Sequence, residues 1–419
     1  MAFSKQHTIK AISKQPNIYV YIVFLLSPLF ALILSINNFR QSWSKNIVWL
    51  YTAFFGFTFV IGNIHSDVNR YRDQFREMVI AEKSVAVFFS NLFKESGGTP
   101  DYIQPTIFYI LSKFTEDFRI VLGVFGLIFG YFFAKNIWNI LELATVKITK
   151  ASILFILVFS SVYAIWDINV LRFTIAAHIF FYGAFAVLVK EKKSGYLFAA
   201  LSFFMHFSLS LAFILLLIYK YLKPNPKVFV GFFIASLFVS EIDFQEVRNI
   251  AAILPDSYVK EANEYVNEDF LEFRTEQQDE KNWRGKSYQP AIKWATTILL
   301  LYIFFRRRYW LLKNKKWLNF FCYVLLYLTV FNILSNIPVM NRFLFIGYML
   351  ALCMFFVYFL HNKSYTDKLV CLVTAPMLLF FAIMKFRIGL EFTGFFSVFG
   401  NPFTAYFSEG DVPFISYFK

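Results

Sequence analysis

The chain has 419 residues, of which 58% are hydrophobic and only 16% charged, with a formal net charge of +14. A soluble domain carries about 25% charged residues and less apolar mass, so this composition excludes a soluble globular protein and defines a polytopic membrane one. The positive residues sit in short segments between apolar runs, the positive-inside pattern, which excludes a nucleic-acid-binding patch.

In chain order, runs suited to membrane spans fall at 18–36, 46–62, 118–134, 151–166, 172–189, 228–241, 291–305, 317–335, 342–360 and 369–386. The basic N-terminal segment lacks a small-residue cleavage site, which predicts a retained first helix rather than a removed signal peptide. Segment 195–222 is too long for one span, and Met205-His206-Phe207-Ser208 interrupts it. Both flanks, 190–193 and 220–227, are basic and belong on the cytoplasmic side. Each arm is about a dozen residues, roughly 18 Å long, which is too short to cross. A re-entrant helical hairpin with His206 near its tip is therefore predicted, lining a wet cavity or buried in protein.

The basic run 306–316 fixes the remaining orientation. It places 37–45 and 135–150 inside, and 63–117, 242–290 and 388–419 outside. The N-terminus, with Lys5, Lys10 and Lys14, comes out external against the charge rule. One transmembrane domain over 1–419 is expected. It carries an external segment, 63–117, whose amphipathic piece 101–118 lies along the interface, and a long acidic and aromatic external loop, 242–290.

After the second run the chain packs His65, Asp67, Arg70, Arg72 and Asp73 together. On a helix, Asp67, Arg70, Tyr71 and Gln74 share one face. Asp67 then reads as a general base or hydroxyl-orienting carboxylate and Arg70 as an anion holder; the plainer reading is an i, i+3 ion pair at the membrane surface. Arg72, Asp73, Arg76 and Glu77 read as a solvated face. Arg172 opens an apolar run at its external end, where snorkelling cations are less usual than at a cytoplasmic end. Arg342, beside Asn341 and near Asn336 and Pro338, has the same placement. An arginine fork binds phosphate oxygens in pairs and stays charged, so converging arginines suit a pyrophosphate.

His206 reads either as a satisfied polar residue in a helix break or as a phosphate ligand or proton donor. His178 reads as a hydrogen-bonding residue of the bundle interior. His65 has too few companions for a metal site, and Cys322, Cys353 and Cys371 read as small hydrophobes. No metal and no cofactor is expected. No span carries Asp or Glu at its centre, which argues against an ion-coupled transporter. A Walker loop, a dinucleotide-binding glycine turn, a zinc-protease histidine pair and a nucleophile elbow are all missing from the sequence, which argues against an ATPase, a metalloprotease and a serine hydrolase.

The run Phe55-Gly-Phe-Thr-Phe-Val-Ile-Gly-Asn63 and the segment that follows it resemble the EpsG/Wzy-type bacterial polysaccharide polymerases. In that family a glycine-containing span ends in a D-x-x-x-Y-x-x-x-F-like signature, matched here by Asp67, Tyr71 and Phe75. Arg172 to Ala176 looks like the family's R-x-x-x-A span start, Phe204-Met205-His206-Phe207-Ser208 like its helix-breaking histidine, and Asn341-Arg342-Phe343 like its late arginine span. The resemblance implies an all-α, GT-C-like membrane glycosyltransferase of the bacterial inner membrane, here with about ten spans plus the hairpin. Its substrates would be undecaprenyl-pyrophosphate-linked glycans, polymerised on the periplasmic face. In that reading Asp67 and His206 are catalytic, Arg172 and Arg342 hold pyrophosphate, and Arg70, Tyr71 and Asn341 bind substrate. The bilayer is a partner, and a chain-length regulator is a further one that the sequence leaves open. A ligase acting on the same donors and a flippase are the alternatives. A flippase needs a cationic lumen reaching both faces, whereas these polar residues gather on one.

Overall fold

The computed structural model describes residues 17–62, 67–81, 84–92, 101–239, 276, 280–337, 339–408 and 410–418. The expectations for the basic N-terminal segment, His65, Pro338 and most of the loop 242–290 lie outside the described residues. The described chain is helical, with two isolated β-bridges and no β-strand among those residues.

Helices α1 (Ile18–Leu26) and α2 (Pro28–Asn37) divide the first apolar run at Ser27. Pro28 has no amide proton to continue the first helix, but its fixed φ suits the opening turn of the second. Next come α3 (Ser42–Phe57), α4 (Asp67–Ile80), α5 (Val85–Leu92), α6 (Ile103–Ser112) and α7 (Phe118–Leu141). The Asp117 carboxylate starts α7 by accepting the Arg119 amide. Gly126 and Gly130, four residues apart, let α7 press against α3, where a Cβ on either would run into Thr52. Thr52 Oγ1 donates to the Gly126 carbonyl at 3.0 Å.

Helix α8 (Lys150–Val162) passes through a 3-10 turn (Ile165–Val170) into α9 (Leu171–Leu188). Helices α10 (Gly195–Met205) and α11 (Leu209–Tyr219) are separated at His206, whose extended backbone (φ −150°, ψ 111°) ends α10. Gly183 and Gly195 bring the backbones of α9 and α10 into contact. The remaining helices are α12 (Pro226–Ser236), α13 (Trp283–Lys313), α14 (Lys315–Leu334), α15 (Arg342–His361), α16 (Tyr365–Gly389), α17 (Phe395–Phe399) and α18 (Pro402–Tyr406).

By length and apolar character, five helical stretches can cross a membrane: α7, the continuous stretch Lys150–Leu188, α14, α15 and α16. Helix α15 is the axis of the bundle. Every residue from Phe343 to Leu360 except Phe345 is buried, as expected of a helix that is apolar all round and surrounded by neighbours. Helix α16 instead exposes Leu369, Leu372, Val373, Leu379, Ile383 and Phe386, an outward surface fit for lipid.

One end of the bundle is closed by polar staples. Asp367 accepts from Tyr358 at 2.6 Å, Tyr302 at 2.8 Å and Arg307 at 3.1 Å. Tyr219 donates to the Asn319 carbonyl at 2.6 Å. The first turns of α4, α7, α9 and α15 lie at the other end. There the C-terminal segment folds back onto α3, with Thr58 and Ser397 hydroxyls 2.8 Å apart.

Candidate functional site

The site is assembled from the far end of the bundle, by elements distant in sequence. Arg172 lies in the first turn of α9, where the helix dipole disfavours a cation. A buried carboxylate compensates. Arg172 Nη1 donates to Asp101 Oδ2 at 2.6 Å, and Nε donates to the Tyr71 hydroxyl at 3.2 Å. Asp101 is 1% exposed and Arg172 19%. The second Asp101 oxygen accepts the Phe207 amide at 2.6 Å. One carboxylate thus ties the start of α9 to the break between α10 and α11.

Burial pushes the Asp101 carboxyl above the usual carboxylate range, while Arg172, the Phe207 amide and Arg342 draw it back down. Arg172 Nη2 makes no hydrogen bond among the described residues.

His206 is buried beside this link. Its Nδ1 lies 3.0 Å from Ser208 Oγ, and its ring meets Phe173 edge-on at 5.4 Å. The other face of the cluster comes from α15. The Arg342 guanidinium stands 4.3 Å over the Phe173 ring, and the Arg342 carbonyl accepts the Tyr163 hydroxyl at 2.6 Å. Arg172 and Arg342 are the charges that act on the His206 ring. The turn before Arg342 holds Val339 at φ 70°, an uncommon and strained backbone for a β-branched residue.

Helix α4 forms the outer wall. Tyr71 and Phe75 are buried, Phe75 against Phe108 and Phe118. Asp67 and Arg70 form an ion pair at 3.2 Å, with side chains 42% and 57% exposed. The Arg70 guanidinium also lies 5.6 Å from the Tyr71 ring centre. Asp67 is close enough for its charge to act on Arg172. Gln74, expected on the same face, is turned to the surface and takes no part.

Six of the seven residues singled out from sequence therefore meet: Asp67, Arg70, Tyr71, Arg172, His206 and Arg342. The seventh, Asn341, is the N-cap residue of α15, but its side chain caps nothing and takes no hydrogen bond in the cluster. His178 is an interior residue, with ring nitrogens near the Asn136 amide (3.3 Å) and the Tyr163 carbonyl (3.0 Å).

Sequence reasoning missed Asp101, treated only as the start of an amphipathic piece. It also missed the half-buried pair of Asp167 and Lys385 at 2.7 Å, which pins the 3-10 turn before Arg172 to α16. Among the described residues no group of three or more His, Cys, Asp or Glu is placed to hold a metal.

The fold and the cluster together define a polytopic helical membrane protein with arginines, a histidine and carboxylates gathered at one end of the bundle. The family model of the EpsG family matches residues 47–397, and the chain belongs to that family, one of Wzy-type polysaccharide polymerases. The matched span contains every residue of the cluster. No curated protein and no solved structure matches the chain.

Proposed function

We propose that the protein polymerises undecaprenyl-pyrophosphate-linked oligosaccharide repeat units on the periplasmic face of the bacterial inner membrane. The observation that carries this reading is the convergence of Arg172, Arg342 and His206 around Phe173, with Asp67 on the adjoining wall. In the reaction, the bond between the anomeric carbon and the pyrophosphate oxygen breaks. A hydroxyl oxygen of the next lipid-linked unit forms the new glycosidic bond. Charge grows on the departing pyrophosphate, and Arg172 and Arg342 offset it with forks already in place. Asp67 takes the proton of the attacking hydroxyl. His206 orients the phosphate, and Arg70 and Tyr71 hold Asp67 and Arg172 in register.

In this reading the shorter apolar helices complete a GT-C-like bundle of about ten crossings, with α10 and α11 as the re-entrant hairpin. The hairpin stops short of the far surface and leaves a groove for the polyprenyl chain.

The test is a transfer assay with purified protein and lipid-linked repeat units, without ATP or an ion gradient. A ladder of products on lipid supports polymerisation. Transfer to another acceptor makes the protein a ligase, and translocation without new bonds makes it a flippase. Asp67→Asn is expected to lower the rate about 10²–10⁴-fold, the usual contribution of a general base. A ladder of wild-type intensity from that variant removes Asp67 from the mechanism.

A further inference from the structure

At the end of the bundle away from this cluster, α3, α7 and the chain just past α9 bring three lysines together. Lys45 lies in the first turn of α3, where the helix dipole repels a cation. The packed rings of Trp49 and Tyr131, one turn along each helix, set Lys45 beside Lys135 of α7, and the charges of Glu142 and Lys190 also act on Lys45. Lys190 is well provided for: its Nζ is 2.6 Å from Asn139 Oδ1 and 3.7 Å from Glu142, and it lies 5.7 Å from the Phe185 ring centre. Glu142 is the one carboxylate whose charge acts on both Lys45 and Lys190, and its ion-pair contact among the described residues is with Lys190. Three lysines sharing one carboxylate leave an excess of positive charge that a further anion beside Lys45 and Lys135 would offset.

A second observation shows where that anion comes from. Trp49 follows Lys45 by one turn of α3, and Tyr131 precedes Lys135 by one turn of α7. Their rings pack edge to face at 5.6 Å, Trp49 donates to the Leu127 carbonyl at 2.7 Å, and Tyr131 is 42% exposed. A Trp–Tyr pair one turn inward of a lysine pair, on an outer face, is the arrangement found at headgroup level, aromatics at the acyl boundary and cations at the phosphates.

We infer that Lys45 and Lys135 form a phosphate site for the headgroup of an anionic phospholipid, seated on Trp49 and Tyr131 in the leaflet away from the polymerase cluster. Basic pockets between membrane helices bind anionic headgroups in this way. The site is independent of the proposed catalytic reading.

The experiment uses full-length protein in nanodiscs of phosphatidylcholine alone, or of phosphatidylcholine with phosphatidylglycerol, and reads melting temperature and lipid retained in native mass spectrometry. The anionic lipid is expected to raise the wild-type Tm by at least about 2 °C and to be retained preferentially. Lys45→Gln/Lys135→Gln is expected to lose both responses and, in pure phosphatidylcholine, to melt above wild type because the repulsion is gone. Lys135→Arg, which keeps the charge, is expected to keep both. Inorganic phosphate added to the neutral nanodisc is expected to change nothing. A full shift from phosphate alone overturns the lipid as the source. An undiminished lipid response in the double glutamine variant overturns the site.

Discussion

Arg172 is a cation placed at the wrong end of a helix dipole, and its two hydrogen-bond partners explain how it is tolerated. The Asp101 carboxylate fixes Nη1, the Tyr71 hydroxyl fixes Nε, and Nη2 is left over. A lysine supplies one point charge and does not reproduce the fixed spacing of Nη1 and Nε that meets both partners. Arg172→Lys is therefore expected to lower initial polymerisation rates about 100-fold, the usual cost of an ångström-scale misplacement, with the protein still in the membrane. An unchanged rate returns Arg172 to a snorkelling role. Asp101 adds a pH dependence. Because burial raises its pKa, the folded protein holds a proton that the unfolded chain lacks between the ordinary aspartate range and the raised value. Stability from this group thus rises as pH falls through that window, while the ion pair to Arg172 is lost. Activity and stability should part company: rates fall on acidification before melting temperature does. Asp101→Asn, permanently neutral, is expected to be slow at every pH and to lack this acidic limb. A pH–rate profile of that variant matching wild type in shape excludes Asp101 as the group that sets it.

At the scale of elements, the position of His206 depends on how closely α10 lies against α9. Gly183 faces the Ala199 amide and the Gly195 carbonyl with no room for a side chain. Gly183→Val must push α10 away, carrying His206 from Phe173 and the Phe207 amide from Asp101. Gly130, crowded against Thr52 at the α3–α7 contact, is the control because it touches neither α10 nor the cluster. Both valine variants should lower the melting temperature, overpacking costing about 1–3 kcal/mol, but Gly183→Val should lose far more activity per degree. Equal losses would show that α10 does not position the site. The break itself was legible, since His206 and Ser208 interrupt an apolar run, and Asp67, Arg70 and Tyr71 showed their shared face by spacing although Gln74 did not follow. Asp101 was not legible. Its partners are 71 and 106 residues away, and nothing local marks a carboxylate that will be buried. The Asp167–Lys385 pair, 218 residues apart, was hidden for the same reason. The expected single run 18–36 is instead two helices, because Pro28 cannot continue the first one even though the apolar pattern runs through it.

For the whole molecule, charge distinguishes the two ends. Around the Arg172–Arg342 cluster, basic residues are interleaved with acids: Asp67, Asp73, Glu77, Asp101, Asp117, Asp167, Glu391 and Asp411. The other end gathers Lys45, Lys135, Lys190, Lys192, Lys193, Lys220, Arg306, Arg307, Arg308, Lys315 and Lys316, with Glu142, Glu191 and Asp367 as acids. Short connections rich in lysine and arginine stay in the cytoplasm, so the cluster should open to the periplasm, where a lipid-linked glycan would reach it. Two surface positions test this directly. Phe114, just before α7 at the cluster end, is 82% exposed, and Tyr221, just after α11 at the basic end, is 80% exposed. In a background with Cys322, Cys353 and Cys371 replaced by alanine, Phe114→Cys should react with a membrane-impermeant maleimide in cells whose outer barrier alone has been opened. Tyr221→Cys should react only after the inner membrane is breached. Because α10 and α11 meet at His206 and α11 returns to the basic end, a Cys at Lys193 should label like Tyr221→Cys; labelling from the other side would mean that α10 and α11 together cross the membrane once. Labelling of Tyr221→Cys from outside would invert the molecule, put Arg172 and Arg342 in the cytoplasm and remove the periplasmic donor from the proposed reaction, whatever the activity of the purified protein.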